Sequence, residues 1–125
     1  MEFKDNKAIY LQIVDFICER ILLGEWPLNE KVPSVRELAV SMEVNPNTVM
    51  RSYDLLQNMN IIQNKRGVGF FLEEKAIESV KAYKKGVFMD EEIPPLYRSM
   101  YLLQIGFDEL EKGYETFVKT NFKTN

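Results

Sequence analysis

The sequence predicts a mainly α fold with a small β component (α+β), in which a compact N-terminal domain is followed by a helical arm. Three observations support this. Two short segments between residues 33 and 59 have helical apolar spacing, and each begins with a capping residue. An alternating apolar segment at 61–72 is interrupted by glycines and basic residues. From residue 73 onward, apolar side chains again recur at helical spacing.

Residues 8–23 are expected to form the first helix, because apolar side chains recur there every three or four residues. The expected buried positions are Ile9, Ile13, Phe16, Ile17 and Ile21. Gly24 is placed to end this helix in a left-handed conformation. A turn-rich link follows, and residues 31–32 are expected to form a short edge strand.

A second helix is predicted from about Val35 to Glu43. Ser34 precedes it as a candidate N-cap, and Glu37 lies three residues further on, where a capping box requires an acid or amide. The apolar residues of this segment fall on one side of a helix. They are Val35, Leu38, Ala39 and Met42.

A third helix is predicted from about Pro46 to Met59. Asn45 is its expected cap, and Pro46 occupies the first helical position, where a missing N–H is harmless. The residues expected to face the core are Val49, Tyr53 and Leu56. Two short helices joined by so tight a turn indicate a helix-turn-helix.

The alternating segment that follows predicts a β-hairpin with strands at 61–64 and 69–72. Its tip, residues 65–69, contains two basic residues and two glycines. A helix-turn-helix followed by a basic hairpin is a winged helix, whose usual role is to hold duplex DNA. This domain is expected to span residues 1–72.

Residues 73–125 are expected to form a helical arm. Residues 73–88 predict an amphipathic helix, and the acidic residues 90–92 with the following prolines predict the start of another. An apolar stripe then recurs in alternating steps of four and three. It comprises Leu96, Met100, Leu103, Phe107, Leu110, Tyr114 and Phe117.

Gly106 interrupts this stripe, and Asp108 with Glu111 would supply a new cap. Two helices, at about 95–105 and 108–119, are therefore favoured over one long helix. A segment this short buries its apolar face poorly by itself. We expect a dimerisation arm in which the seven stripe residues form the interface. The alternative is that the arm packs on the winged helix of its own chain.

The N-terminal part of the third helix is expected to reach base edges in the major groove. The fork of donors on Arg51 fits the acceptors of guanine, or it binds a phosphate. The donor and acceptor of the Asn47 amide fit those of adenine, unless Asn47 serves only as a helix-start residue. Thr48 contacts phosphate or a thymine methyl, or else supports the cap. Arg36 lies beside the free N–H groups of the second helix and would strengthen a phosphate site there. The alternative for Arg36 is a weak ion pair with a nearby glutamate.

At the hairpin tip, Lys65 and Arg66 are expected to contact DNA. Gly67 would let the backbone approach without a side chain, unless the glycine serves only the turn. The net charge of the chain is −3, which argues against a nucleic-acid partner. Residues 44–72 nevertheless carry three basic side chains against one acidic side chain, a local charge of +2.

An enzyme is not expected. The chain has no histidine and a single cysteine, so the usual general base and the usual metal ligands are missing. No cofactor and no metal are expected. No apolar run is long enough to cross a bilayer, and the N-terminus lacks the pattern of a secretory signal. The lone cysteine excludes a disulfide framework, and a cytoplasmic location is expected.

Several motifs resemble the GntR family of bacterial transcription regulators over about residues 8–72. The residues that carry the resemblance are Tyr10-Leu11-Gln12-Ile13, Gly24-Glu25-Trp26, Val32-Pro33-Ser34-Val35-Arg36-Glu37-Leu38-Ala39, Val44-Asn45-Pro46-Asn47-Thr48-Val49 and Lys65-Arg66-Gly67-Val68-Gly69-Phe70-Phe71. The Asn-Pro-Asn-Thr signature and the short tail resemble the YtrA subfamily in particular. The resemblance implies a homodimer on a palindromic operator, usually a repressor.

The resemblance also implies that Arg36, the start of the third helix and the wing glycines contact DNA. The candidate DNA-binding residues are therefore Ser34, Arg36, Asn45, Asn47, Thr48, Arg51, Lys65, Arg66, Gly67 and Gly69. Many family members carry arginine where this chain has Pro46 and Met50, so those base contacts are not carried over. The tail lacks the larger effector domains of other branches, and any small-molecule effector would bind in the dimer interface.

Two function classes compete at this point. The first is a homodimeric, sequence-specific DNA-binding regulator. The second is a winged-helix module that binds another protein, which would suit the acidic net charge. Salt dependence separates them, because binding to DNA releases cations condensed on its phosphates, so DNA affinity falls steeply as the salt concentration rises. A protein-binding module gives a flatter response.

Overall fold

A computed structural model of the chain describes residues 2–4 and 6–122. Within these residues it contains six α-helices, a π-helical turn and one antiparallel hairpin, so the predicted mainly α fold is confirmed. The elements are α1 (Ile9–Leu22), α2 (Val35–Met42), α3 (Pro46–Asn58), β1 (Ile62–Lys65), β2 (Gly69–Leu72), α4 (Ala76–Val87), the π-helical turn (Phe88–Glu92), α5 (Ile93–Leu103) and α6 (Phe107–Asn121). They form two compact units, Met1–Lys84 and Lys85–Asn125.

The core of the first unit lies between α1, α2, α3 and the hairpin. The predicted core positions of α3, Val49, Tyr53 and Leu56, are fully buried. Helix α1 contributes Ile13, Ile17 and Ile21 as predicted, together with two residues outside the predicted stripe, Val14 and Cys18. Burial raises the pKa of the Cys18 thiol to about 11, so this group stays protonated at neutral pH.

The prediction that Ile9 is buried is wrong, since 45% of this residue is exposed. The segment before α1 covers Gln12 instead. The Gln12 amide accepts a hydrogen bond from the N–H of Lys4 and donates to the carbonyls of Lys4 and Lys7, each at 2.7 Å. Because the oxygen and the nitrogen of the buried Gln12 amide both need partners, the preceding segment packs over the side of the first turn that carries Gln12. Ile9 does not lie on that side.

The turns of the first unit follow the predicted signals. Gly24 adopts φ +79° just after α1, which confirms the left-handed end of this helix. Glu43 ends α2 with φ 56°, and the N–H of Val44 reaches back to the carbonyl of Ala39 at 3.0 Å. Only two residues, 44 and 45, separate Glu43 from Pro46, so α2 and α3 form the predicted helix-turn-helix.

The hairpin pairs Ile62 with Leu72 and Lys65 with Gly69. Its first strand begins one residue later than predicted. The expected edge strand at 31–32 is present as a single bridge between Lys31 and Phe71, extended by a hydrogen bond from the N–H of Val32 to the carbonyl of Phe70 at 2.9 Å.

Helix α4 begins in the core of the first unit. Ala76 and Val80 are fully buried and belong to the same apolar cluster as α1 and α3. This packing explains why the first unit extends to Lys84, whereas the sequence placed the limit of the winged-helix domain at residue 72.

The helix start predicted from the acidic residues 90–92 and the following prolines agrees with α5, which begins at Ile93 with Glu92 as its N-cap. The π-helical turn that precedes α5 was not predicted. The predicted start of the last helix differs from the structure. Helix α6 begins with Gly106 as its cap: the Gly106 N–H donates to a carboxylate oxygen of Glu109, and the Glu109 N–H donates to the Gly106 carbonyl, both at 3.2 Å. The predicted cap formed by Asp108 and Glu111 is therefore wrong.

The prediction of two helices in place of one is confirmed. Gln104 ends α5 in a left-handed conformation with φ 57°, and Gly106 follows in an extended one. None of the helices in the part of the chain that the structure describes is both long enough and apolar enough to cross a bilayer.

Val80→Ala is expected to lower the free energy of unfolding by about 2 kcal/mol, because it removes two methyl groups from a fully buried site. Urea denaturation of the full chain measures this. Ile77→Ala is the matched control on the same helix, where the side chain is 38% exposed, and is expected to change stability by less than about 0.5 kcal/mol. Equal effects of the two variants would contradict the placement of α4 in the core.

Candidate nucleic-acid interface

Helix α3 presents a polar face opposite its buried one. Asn47, Met50, Arg51 and Asp54 are exposed, while Val49 and its core neighbours face inward. Asn45 caps the helix, since its side-chain oxygen accepts a hydrogen bond from the Asn47 N–H at 2.8 Å. The side chains of Asn47 and Arg51 are one helical turn apart, so both point from the same exposed face.

Arg51 lies against an aromatic ring of α1. Its guanidinium carbon is 3.8 Å from the centroid of the Tyr10 ring. Thr48 is half-buried, and its carbonyl accepts a hydrogen bond from the Ser52 hydroxyl at 3.2 Å. The ring thus holds the Arg51 guanidinium by its face, and the bond to Ser52 engages only the Thr48 backbone carbonyl, not its side chain.

The start of α2 carries the predicted capping box. The Ser34 hydroxyl accepts from the Glu37 N–H at 3.1 Å, and the Glu37 carboxylate accepts from the Ser34 N–H at 2.9 Å. The pKa of the Glu37 carboxyl is lowered, first by the hydrogen bond from the Ser34 backbone N–H and then by interaction with the Ser34 side chain. Arg36 is exposed beside this box and is not engaged in the capping. Ser34 is thus occupied by the cap, whereas Arg36 is available to a ligand.

The wing exposes Lys65, Arg66 and Gly67. The ammonium of Lys65 lies 4.3 Å from the centroid of the Phe71 ring. Gly67 adopts φ +77°, and Gly69 adopts φ +139°; both conformations favour glycine, so these glycines serve the turn.

Lys31 is a further cation at the wing, which the sequence analysis did not select as a candidate. Its side chain crosses the backbone of Gly69 so closely that a Cβ at that position would collide with it. The available signal was the expected edge strand at 31–32, since a strand paired with β2 can carry the Lys31 side chain across Gly69, whose partner in the hairpin is Lys65.

Tyr53 joins the elements that carry these candidates. Its hydroxyl donates to the carbonyl of Pro33, just before α2, at 2.6 Å. Its ring packs edge-on against Phe70 of the wing, with centroids 5.0 Å apart. Burial, with a smaller contribution from Glu37, raises the pKa of Tyr53 well above its ordinary value, so the hydroxyl remains a donor.

Comparison with known proteins decides the family. The sequence model of the family of bacterial regulatory proteins named gntR matches residues 9–72, from the start of α1 to the end of the hairpin. The chain belongs to the GntR family. It is a winged-helix, DNA-binding transcription regulator and not an enzyme.

Full-length relatives support this assignment. YhcF, an HTH-type transcriptional regulator of Bacillus subtilis (strain 168), is 35% identical over 94% of this chain and 96% of its own length. YtrA, an HTH-type transcriptional repressor of the same organism, is 33% identical over 90% of this chain and 83% of its own length. A crystal structure of a GntR-family transcriptional regulator from Bacteroides thetaiotaomicron matches 90% of this chain and 98% of its own, with 46% identity and a TM-score of 0.72.

The second unit of this GntR regulator carries the seven stripe residues on two separate helices. Met100 is buried and Leu110 is half-buried, whereas Leu96, Leu103, Phe107, Tyr114 and Phe117 are exposed. Sequence reasoning missed further exposed apolar residues of the same helices. They are Tyr97, Tyr101 and Leu102 on α5 and Phe122 just after α6. The apolar surface of this unit is therefore broader than a single heptad stripe.

The lowered pKa of Glu37 leads to a pH prediction. A carboxylate with a depressed folded-state pKa contributes stability that is fully present above its ordinary value of 4.5 and is lost as pH falls through the lowered folded value. Below pH 4.5 the wild type is therefore expected to lose stability relative to Glu37→Gln, which keeps a capping side chain without the charge. Urea unfolding of both proteins as a function of pH measures this, and identical pH profiles would contradict it.

Proposed function

We propose that this GntR regulator is a homodimeric repressor that binds a palindromic operator in the cytoplasm. The observation that carries the proposal is the exposed face of α3, where Asn47 and Arg51 project from a helix that is locked into the core on its other side. A rigid helix with outward hydrogen-bonding side chains is what reading of the major groove requires. That the relative YtrA is a transcriptional repressor supports repression rather than activation.

Arg51 and Asn47 supply the base contacts in this proposal. The guanidinium offers a donor fork that matches the two acceptors of guanine, and the Asn47 amide offers the donor and acceptor that match adenine. The Asn47 side chain is not used by the Asn45 cap, which takes only the Asn47 backbone N–H. Thr48 and Asn45 contribute phosphate contacts at the edge of the same surface.

Phosphate contacts come from the start of α2 and from the wing. Arg36 lies in the first turn of α2, where the backbone N–H groups of residues 35 and 36 lie before the first intrahelical bond. In the wing, Lys65 and Arg66 directly precede Gly67, and Lys31 adds a third positive charge. Ser34, Gly67 and Gly69 contribute indirectly: Ser34 caps α2, and the two glycines allow the turn of the wing. These contacts give affinity without base preference.

The second unit supplies dimerisation. Its exposed side chains include Leu103 and Phe107, which are 69% and 70% exposed in the single chain. Apolar surface of this extent on a small unit is stabilised by a second copy that covers it. Two α3 helices in such a dimer would enter successive major grooves about 34 Å apart, and this spacing requires an operator with two half-sites.

Selection of bound duplexes from a random oligonucleotide pool tests the function. We expect an inverted repeat whose half-site centres are about one helical turn apart. On the selected duplex, affinity is expected to fall steeply with salt, by about 0.9 log units per log of salt for each phosphate neutralised. Recovery of no motif, together with a flat salt response, would contradict the proposal and favour the protein-binding module.

Arg36→Ala is expected to weaken binding to the selected duplex and to an unrelated duplex by the same factor, because it removes a phosphate contact that carries no base preference. Fluorescence anisotropy at fixed salt measures both affinities. Lys81→Ala is the control, because it removes a positive charge from an exposed position of α4 outside the proposed interface. A loss confined to the selected duplex would mean that Arg36 reads bases.

Leu103→Asp and Phe107→Asp are each expected to raise the dimer dissociation constant by at least about 100-fold, because a carboxylate is placed without a partner in the apolar interface. Sedimentation velocity measures the association state. Lys112→Asp, an exposed position of α6 outside the stripe, is the control for the change of charge. Intact dimers in both stripe variants would show that another surface joins the subunits.

A further inference from the structure

Arg51 is held by an aromatic ring and not by an acid. Its guanidinium carbon lies 3.8 Å from the centroid of the Tyr10 ring. Among the residues that the structure describes, Arg51 forms no ion pair, and Asp54, almost one turn further along α3, does not engage it. Contact with the face of a ring leaves the N–H donors at the edge of the guanidinium group free for another partner.

A second contact fixes Tyr10 against the helix that carries Arg51. The hydroxyl of Ser52, a fully buried residue, donates a hydrogen bond to the backbone carbonyl of Tyr10 at 2.8 Å. This bond joins the first turn of α1 to the residue that directly follows Arg51. The Tyr10 ring therefore extends from a backbone that is anchored to α3 itself, and the core sets the spacing between the backbones of Tyr10 and Arg51.

We propose that Tyr10 is a positioning residue that determines base specificity: its ring confines the Arg51 guanidinium above the exposed face of α3. The proposal rests on the proposed function, in which Arg51 contacts a base edge. A free arginine side chain loses rotamer freedom when it binds, and a side chain that is already confined loses less. A bidentate contact with guanine accepts only a narrow range of geometries, whereas phosphates accept many, so confinement acts mainly on base discrimination.

The experiment weakens the ring's attraction for the cation at nearly constant size. Position 10 receives phenylalanine (Tyr10→Phe), then trifluorophenylalanine and pentafluorophenylalanine, because ring fluorines withdraw the electron density that attracts a cation. The probes are the duplex selected by the wild type, the same duplex with each base pair changed in turn, and an unrelated duplex. Arg51→Met identifies the base pair that Arg51 reads, as the position where the wild type discriminates and the variant does not.

At that base pair, Tyr10→Phe is expected to keep the wild-type discrimination within about twofold. Discrimination is expected to fall stepwise with fluorination, by about fivefold for the pentafluoro ring. Affinity for the unrelated duplex is expected to change by less than about twofold. In the Arg51→Met background the same series is expected to have no effect, since the cation is gone. Thermal unfolding verifies that every variant is folded.

A flat fluorination series, or an equal decline in the Arg51→Met background, would overturn the role of Tyr10 and leave the proposed function intact. Unchanged discrimination at every base pair in Arg51→Met would overturn both the base contact assigned to Arg51 and the proposal for Tyr10. Loss of binding to all duplexes in a folded Tyr10→Phe variant would also overturn the proposal for Tyr10, because that variant keeps the aromatic ring.

Discussion

Tyr53 is the constraint on which the geometry of the DNA-binding unit depends. It is fully buried in α3, its hydroxyl donates to the Pro33 carbonyl just before α2, and its ring packs edge-on against Phe70 of the wing. One side chain thereby contacts the three elements that carry the candidate DNA-binding residues. A buried phenol without an acceptor would cost about 1–3 kcal/mol, so the hydrogen bond also fixes the position of the loop that supplies the carbonyl. The relative placement of α3 and the wing is thus a property of the core and not of flexible loops.

An acidic protein that binds DNA must keep its few interface cations free of its own carboxylates. The net charge of this chain is −3, yet Arg51 contacts Tyr10 and Lys65 contacts Phe71, so aromatic rings hold two of the candidate cations. A ring orients a cation without neutralising it, whereas an ion pair would have to be broken before a phosphate could bind. Arg20, outside the candidate interface, also lies over a ring, that of Phe16, but it pairs with two glutamates as well, and Lys84 pairs with an aspartate. Among the described residues Arg51 and Lys65 form no ion pair, so their positive charges remain on the surface of an acidic protein.

Local signals predicted the first unit well. The capping box at Ser34, the Asn45 cap, the left-handed Gly24 and the hairpin are each set by a few adjacent residues, and each was confirmed. The errors arose where distant parts of the chain decide. Ile9 fits the apolar period of α1 but is exposed, because the preceding segment covers Gln12 instead. The contact between Tyr10 and Arg51 joins residues that no periodicity relates, and the crossing of Gly69 by Lys31 required the strand pairing to be known.

In the arm, the helix start at 90–95 was predicted and α5 begins at Ile93, but the sequence did not predict the π-helical turn that precedes it. The break between α5 and α6 was predicted at Gly106. The residue that ends α5 in a left-handed conformation is Gln104, which lacks the usual preference for that conformation. Because of that break, the apolar stripe is divided between α5 and α6 and does not form one straight coiled-coil seam. Exposed Tyr101 and Leu102 then add apolar area outside the heptad positions. A partner that covers this surface must contact two helices at once, which favours a second copy of the same two-helix unit over a single partner helix.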